Sequence, residues 1–138
     1  MMFQIKKLNS DAVVPTRAHN SAGYDLYSIE DISLLPLSIT KIHLGFAAAF
    51  PPGYVGSIRD RSSMGKKGIH VFGGVIDSDY RGEWMVLLYN SKMVTQEIIK
   101  GNRIAQVLFH PALLFIVDEV NKLEETNRGP DGFGSTGD

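Results

Sequence analysis

The chain contains no cysteine, which excludes disulfides, thiolate metal sites and a cysteine nucleophile. No charge sign dominates. Fourteen basic residues stand against 15 acidic ones, a formal net charge of −1, so there is no electrostatic footprint for duplex nucleic acid. Long apolar runs are missing as well. Ala47-Ala48-Ala49-Phe50 stops at Pro51-Pro52, far short of the roughly 20 residues a spanning helix needs, and Met1 to Lys7 has no signal-peptide core. A soluble, intracellular (cytoplasmic) protein with no nucleic-acid or membrane partner is expected. Helical periodicity over three or more turns is absent, apart from a weak candidate around Ser63–Lys67. His19, His43, His70 and His110 are scattered without an H-x-x-x-H pair, so neither a zinc site nor a histidine base is read. G-x-S-x-G is missing too, which argues against a serine-hydrolase elbow.

What is present is a series of short β-like runs. The length of 138 residues and the 43% apolar fraction suit one domain with a sizeable core. Candidate strands are Phe3–Leu8, Tyr24–Ser28, Ile39–Phe50, Tyr54–Arg59, His70–Ile76, Trp84–Tyr89, Arg103–Phe109 and Leu113–Val120. They are rich in Val, Ile, Phe and Tyr, with Pro and Gly between them. Such spacing predicts an all-β sandwich, barrel or jelly roll over residues 1–123. From Glu124 to Asp138 the chain turns polar and glycine-rich and cannot build a core, so a flexible C-terminal tail is expected.

Five polar islands interrupt this pattern. Gly74-Val75-Ile76-Asp77-Ser78-Asp79-Tyr80-Arg81-Gly82 runs from one strand into another and reads as a β-hairpin tip loaded with charge. A self-capping Asp/Ser turn explains the polarity equally well. In the tail, Gly132 through Gly137 spells G-x-G-x-x-G, but no helix can follow it, which rules out a dinucleotide fingerprint. Its glycines, Ser135 and Thr136 can still approach an anion. Arg128 offers a bidentate phosphate partner and Phe133 a face for a base. Arg59 to Gly68 resembles part of a P-loop, with Asp60 where the first glycine should stand. Its serines and free amides near two arginines suit an oxyanion, or simply a solvated basic turn. Ala22–Ser28 places Asp25 within a strand-like run, on a solvated edge or held for a cation. In Gly101–Gln106, Arg103 and Gln106 point to opposite faces if the strand is regular.

Taken in order, Ala22–Ser28, Arg61–Gly65, Gly74–Gly82, Gly101–Gln106 and Arg128–Gly137 resemble the homotrimeric dUTP diphosphatases over essentially the whole chain. The resemblance implies a β jelly roll (the dUTPase-like β-clip). It also implies a homotrimer with active sites shared by three subunits, hydrolysing dUTP to dUMP and pyrophosphate with Mg²⁺. Asp77 would then orient and deprotonate a water for in-line attack on the α-phosphorus and bond the sugar 3′-hydroxyl. Tyr80 would lie flat on the deoxyribose and leave no room for a 2′-hydroxyl. Gly74, Val75, Ile76 and the backbone at Trp84 would meet the uracil edge. Ser62, the amides of Ser63 and Gly65, and Gln106 would hold the α- and β-phosphates. Arg61 and Arg103 would pair with acids such as Asp25, which would fix waters of the Mg²⁺ shell. Arg128, Ser135 and Thr136 would meet the γ-phosphate while Phe133 and Gly134 close over uracil. A tail of roughly 14 residues spans on the order of 45–50 Å, enough to serve a neighbour's site. Asp60, Ser63 and Pro130-Asp131 depart from the common family pattern, Asp60 by placing a negative charge near the phosphates. A nucleotide-gated regulator on the same fold is the alternative.

Overall fold

The computed structural model describes residues 1–132. Ten strands and one short helix follow each other as β1 (Gln4–Lys7), β2 (Tyr24–Tyr27), β3 (Ile32–Leu34), β4 (Ile39–Ala49), β5 (Tyr54–Arg59), α1 (Ser62–Lys66), β6 (Ile69–Phe72), β7 (Val75–Asp77), β8 (Glu83–Asn90), β9 (Gln96–Ile98) and β10 (Arg103–Pro111). They form two four-stranded antiparallel sheets, β1-β4-β8-β6 and β2-β10-β5-β7, and a two-stranded flap, β3-β9. The all-β jelly-roll expectation is met. No helix among the described residues is long and apolar enough to cross a membrane.

The alternation of side chains sets which face is buried. In β8, Trp84, Val86, Leu88 and Asn90 turn inward while Met85, Leu87 and Tyr89 turn out. They meet Ile42, Leu44 and Phe46 of β4 and, from the facing sheet, Leu26, Ile58, Ile104 and Val107. Each such side chain contributes about 1.5–3 kcal/mol on burial. Asn90 is the polar exception among these inward-facing residues of β8. Its amide donates to the carbonyls of Leu34, Leu35 and Val94, and its oxygen accepts from Lys92 N–H and Gln96 Nε2. One asparagine thereby ties the β3-β9 flap to the end of β8.

Two expectations need correction. The strand foreseen over His70–Ile76 is two strands, because Gly73 and Gly74 take φ of 68° and 87°, a conformation that breaks an L-residue strand. A Cβ at Gly74 would also sit 2.7 Å from the Ile58 carbonyl oxygen. The segment Leu113–Val120, foreseen as a strand, has no strand beside it and forms none. Its apolar residues Leu113 to Val117 are 78–96% exposed, because β-propensity without a pairing edge makes no ladder. Strands β3 and β9, three residues each, are too short to stand out in sequence. The weak helical candidate is real and spans Ser62–Lys66.

Candidate active site

The loaded hairpin is wider than a simple two-strand turn. β6 pairs with β8, from Ile69↔Asn90 to Phe72↔Leu87. After Gly73-Gly74 the chain then crosses to the other sheet, where β7 pairs with β5 through Val55↔Asp77, Gly56↔Ile76 and Ser57↔Val75. The first half of β8 is thus left without a neighbour on that side. The gap is a cleft of about 300 Å³ lined by Gly74, Val75, Ile76, Asp77, Tyr80 and Glu83, among others.

Asp77 ends β7 on the exposed side, and its carboxylate makes no hydrogen bond among the described residues. Its carbonyl accepts the Tyr80 N–H at 3.2 Å, closing the turn. Tyr80 is 40% exposed, and its hydroxyl donates to the Glu83 carbonyl at 3.0 Å. Gly82 leaves the space for this, since a Cβ there would lie 2.4 Å from the Tyr80 hydroxyl. Arg81, to which the sequence assigns no role, straps the turn by donating to the carbonyls of Ser78 (2.7 Å) and Tyr80 (3.1 Å). Trp84 belongs to the core. It is fully buried against Phe3, Phe46 and Phe50, so only its backbone could face the cleft.

A second cleft, about 350 Å³, is lined by Gly23, Asp25, Arg61, Ser62, Ser63, Arg103 and Gln106. Asp25 is its hub. Arg61 Nε donates to one carboxylate oxygen at 2.8 Å and Arg103 Nη1 to the other at 3.3 Å. The acid in a strand is thus held for a cation, and the cations are two guanidiniums. Arg61 also reaches the Arg103 carbonyl and Ser63 Oγ. The pairing of β10 with β2 slips between Arg103 and Ala105. This bulge brings Arg103 and Gln106 to the same cleft, correcting the opposite faces a regular strand would give them.

In α1 the Gly65 N–H is committed to the Arg61 carbonyl at 3.0 Å, as is that of Met64 at 2.9 Å. Of the two amides expected to meet phosphate, that leaves Ser63's. The Asp60 carboxylate is turned away from this cleft. It accepts the Val71 N–H at 2.6 Å and faces His70 Nδ1 at 2.9 Å, and its carbonyl accepts Gln106 Nε2 at 2.9 Å. Its charge therefore pins β6 to the end of β5 instead of opposing an anion. Asp60→Ala is expected to cost about 1 kcal/mol of stability, read as a shifted denaturant midpoint.

Gly23 completes the Gln106 pocket. A Cβ there would meet Gln106 Oε1 at 2.2 Å, so Gly23→Ala must swing the amide off the Asp60 carbonyl. The expected result is a raised KM for a phosphate-bearing substrate, by roughly three- to tenfold, the worth of one hydrogen bond. An unchanged KM would show that Gln106 does not touch phosphate.

The two clefts share no lining residue. Asp77 faces Val55, four residues along β5 from Arg59, or about 13 Å at strand rise. Arg128 is exposed and donates from Nε to the Asp131 carbonyl at 2.9 Å. Phe133, Gly134, Ser135 and Thr136 lie outside the described residues.

Comparison with known proteins assigns this arrangement. The dUTPase family model matches residues 10–137. The deoxyuridine 5′-triphosphate nucleotidohydrolase of Nautilia profundicola is 45% identical, with 99% of both chains aligned. A Staphylococcus bacteriophage 80alpha dUTPase solved with dUPNHPP superposes with a TM-score of 0.90 at 30% identity, covering 99% of this chain and 98% of that one. A mutant dUTPase of phage phi11 of S. aureus, described as revealing the coordination of a structural Mg(II) ion, gives 0.83 at 25% identity, covering 91% of this chain and all of that one. With the family model spanning nearly its full length and a relative this similar end to end, the chain belongs to the dUTPase family.

Proposed function

We infer that the chain hydrolyses dUTP to dUMP and pyrophosphate, at a site composed of the Asp77 cleft of one copy and the Asp25–Arg61 cleft of another. The observation that carries this reading is an exposed carboxylate, Asp77, one turn before an anchored tyrosine in a mostly apolar cleft. In this chemistry a water oriented by Asp77 gives it a proton and forms a new O–P bond at the α-phosphorus. The bond from that phosphorus to the bridging oxygen breaks in line, and pyrophosphate leaves. The Tyr80 ring is the wall that excludes a ribose, since an added hydroxyl is rejected by sterics better than by a weakened contact. Gly74, Val75 and Ile76 frame the base. Ser62, Ser63 and Gln106 hold the phosphates, with Arg61 and Arg103 kept in place by Asp25. Arg128, in the polar stretch that begins at Glu124, reaches the terminal phosphate.

Mg²⁺ fits this donor set only through the substrate. Among the described residues no cluster of three His, Asp or Glu side chains could cage a metal, and Asp25 is already engaged by two arginines. Magnesium keeps several waters and binds readily through phosphates, so Asp25 would touch it through a water. Bound there, the ion would neutralise charge developing on the phosphate oxygens.

A homotrimer is proposed on the exposed arm after β10. Leu113 to Val117 stand 78–96% exposed, an apolar run that needs another copy to cover it. Replacing Leu114 and Ile116 together by Asp should dissociate the trimer in sedimentation and abolish turnover. A trimer that survives would place the interface elsewhere.

Pyrophosphate release from dUTP, UTP, dCTP and dTTP, with Mg²⁺ and with chelator, tests the function. Release confined to dUTP and lost with chelator is expected. Ammonia release would make the protein a deaminase. Tight dUTP binding without turnover would make it a nucleotide-gated regulator.

A further inference from the structure

Glu83 lies beyond the turn that carries Asp77 and Tyr80, and nothing in the reaction above uses it. Its surroundings are unusually specified for a half-buried glutamate. Between His43↔Met85 and Ala47↔Glu83, β4 carries residues 44 to 46 where β8 has only Trp84. Gly45, at the crest of this bulge, takes a φ of 71°, and its carbonyl accepts the N–H groups of Leu8 (2.8 Å) and Asn9 (3.0 Å). The bulge turns the Gly45 N–H toward β8, where one Glu83 carboxylate oxygen accepts it at 3.0 Å. The other oxygen lies 3.0 Å from His43 Nδ1. The side chain is thereby fixed at both oxygens to the neighbouring strand. The carbonyl of the same residue is the acceptor for the Tyr80 hydroxyl.

We propose that Glu83 is a positioning residue for sugar discrimination: its carboxylate, clamped in the β4 bulge, fixes the carbonyl that holds Tyr80 rigid against the cleft. The proposal rests on Tyr80 being the sugar wall. A wall excludes an extra hydroxyl only as firmly as it resists displacement, and Tyr80 projects from a polar turn with 40% of its surface exposed. Among the described residues, its hydroxyl contact with Glu83 is the polar tie of its ring. Loosening that carbonyl lets the ring swing and admits a ribose, without removing any group proposed to touch phosphate.

The test is the ratio of kcat/KM for UTP to that for dUTP in wild type, Tyr80→Ala, Tyr80→Phe, Glu83→Ala, Glu83→Gln and the Tyr80→Phe/Glu83→Ala double variant. Glu83→Ala and Tyr80→Phe should each raise the ratio by roughly three- to tenfold, the worth of one net hydrogen bond. The double variant should gain no more than the larger single one, because both break the same tie. Glu83→Gln can keep both clamps, accepting from Gly45 and donating to His43, and should restore the wild-type ratio. If Glu83→Ala does not fold, His43→Ala removes one clamp and is read for the same rise. An unchanged ratio in Glu83→Ala (or in His43→Ala in its place), or strict additivity in the double variant, overturns the proposal. Tyr80→Ala separates the two levels. If it admits UTP while Glu83→Ala does not, the wall stands and its anchor is refuted. If Tyr80→Ala leaves the ratio unchanged, the wall itself is misplaced.

Discussion

Asp77→Asn is expected to lower kcat for dUTP by about 10²–10⁴-fold, the usual worth of a positioned general base, while affinity for a non-hydrolysable dUTP analogue changes no more than severalfold. The substitution keeps the size of the side chain and its capacity to bond a sugar hydroxyl, and removes its ability to take a proton from water. Nor should it disturb the fold. The carboxylate is exposed and makes no hydrogen bond among the described residues, whereas the turn is held by backbone contacts and by Arg81. Pyrophosphate release and equilibrium binding, measured on one preparation with an unchanged unfolding midpoint, separate the two effects. Retained turnover would remove Asp77 from the chemistry. Lost binding with normal kcat would make it a substrate-holding group alone.

Asp25→Ala is expected to reduce kcat on the order of 10²-fold, the scale set by misplacing reacting groups by about an ångström. KM should stay level or fall. Two effects compete here. Removing a carboxylate beside a phosphate site raises the local positive charge and favours dUTP binding. Removing it also releases Arg61 and Arg103, which share its two oxygens at 2.8 and 3.3 Å, and with them the Ser63 hydroxyl and the Arg103 backbone that Arg61 contacts. Charge sets affinity and geometry sets rate, so the two constants should separate. Stability should drop as well, by about 1–3 kcal/mol for charge-assisted hydrogen bonds lost at a partly buried position. Asp25→Asn, which can still accept from one arginine, should fall between the two. Equal losses in kcat and binding would instead mean that the whole cleft had collapsed.

Much of this fold is legible because β structure writes its own pattern. The apolar, aromatic-rich run from Trp84 to Tyr89 gives the strand but not its buried face, since both faces are apolar, and Tyr54–Arg59 has the same bounds in sequence and structure. What pattern cannot carry is the third dimension. Gly73-Gly74 reads as the middle of one strand, His70–Ile76, and only the structure shows the chain breaking there, passing from one sheet to the other and opening the cleft. A slip in pairing near Ile104 leaves no trace in composition, and it decides that Arg103 and Gln106 face the same way. Asp60 reads as a charge opposing phosphate until its carboxylate is found on Val71 N–H and His70. Leu113–Val120 has the composition of a strand and lacks only an edge to pair with, which a single chain does not supply. The Asp25, Asp77 and Tyr80 islands stand out for a simpler reason: each places a polar group where β-propensity or turn chemistry does not require it.

On this reading, two clefts with no residue in common form one site when copies of the chain meet. Mixing inactive variants tests it most directly. Asp77→Asn and Asp25→Ala subunits are unfolded together in equal amounts, refolded into mixed trimers and assayed for pyrophosphate release from dUTP. If one copy supplies Asp77 and another Asp25, random assortment leaves about one site in four with both groups intact, and the mixture should recover about a quarter of wild-type activity. If both groups must come from the same copy, every site carries a defect, the mixture stays as inactive as its parents, and the composite site is contradicted.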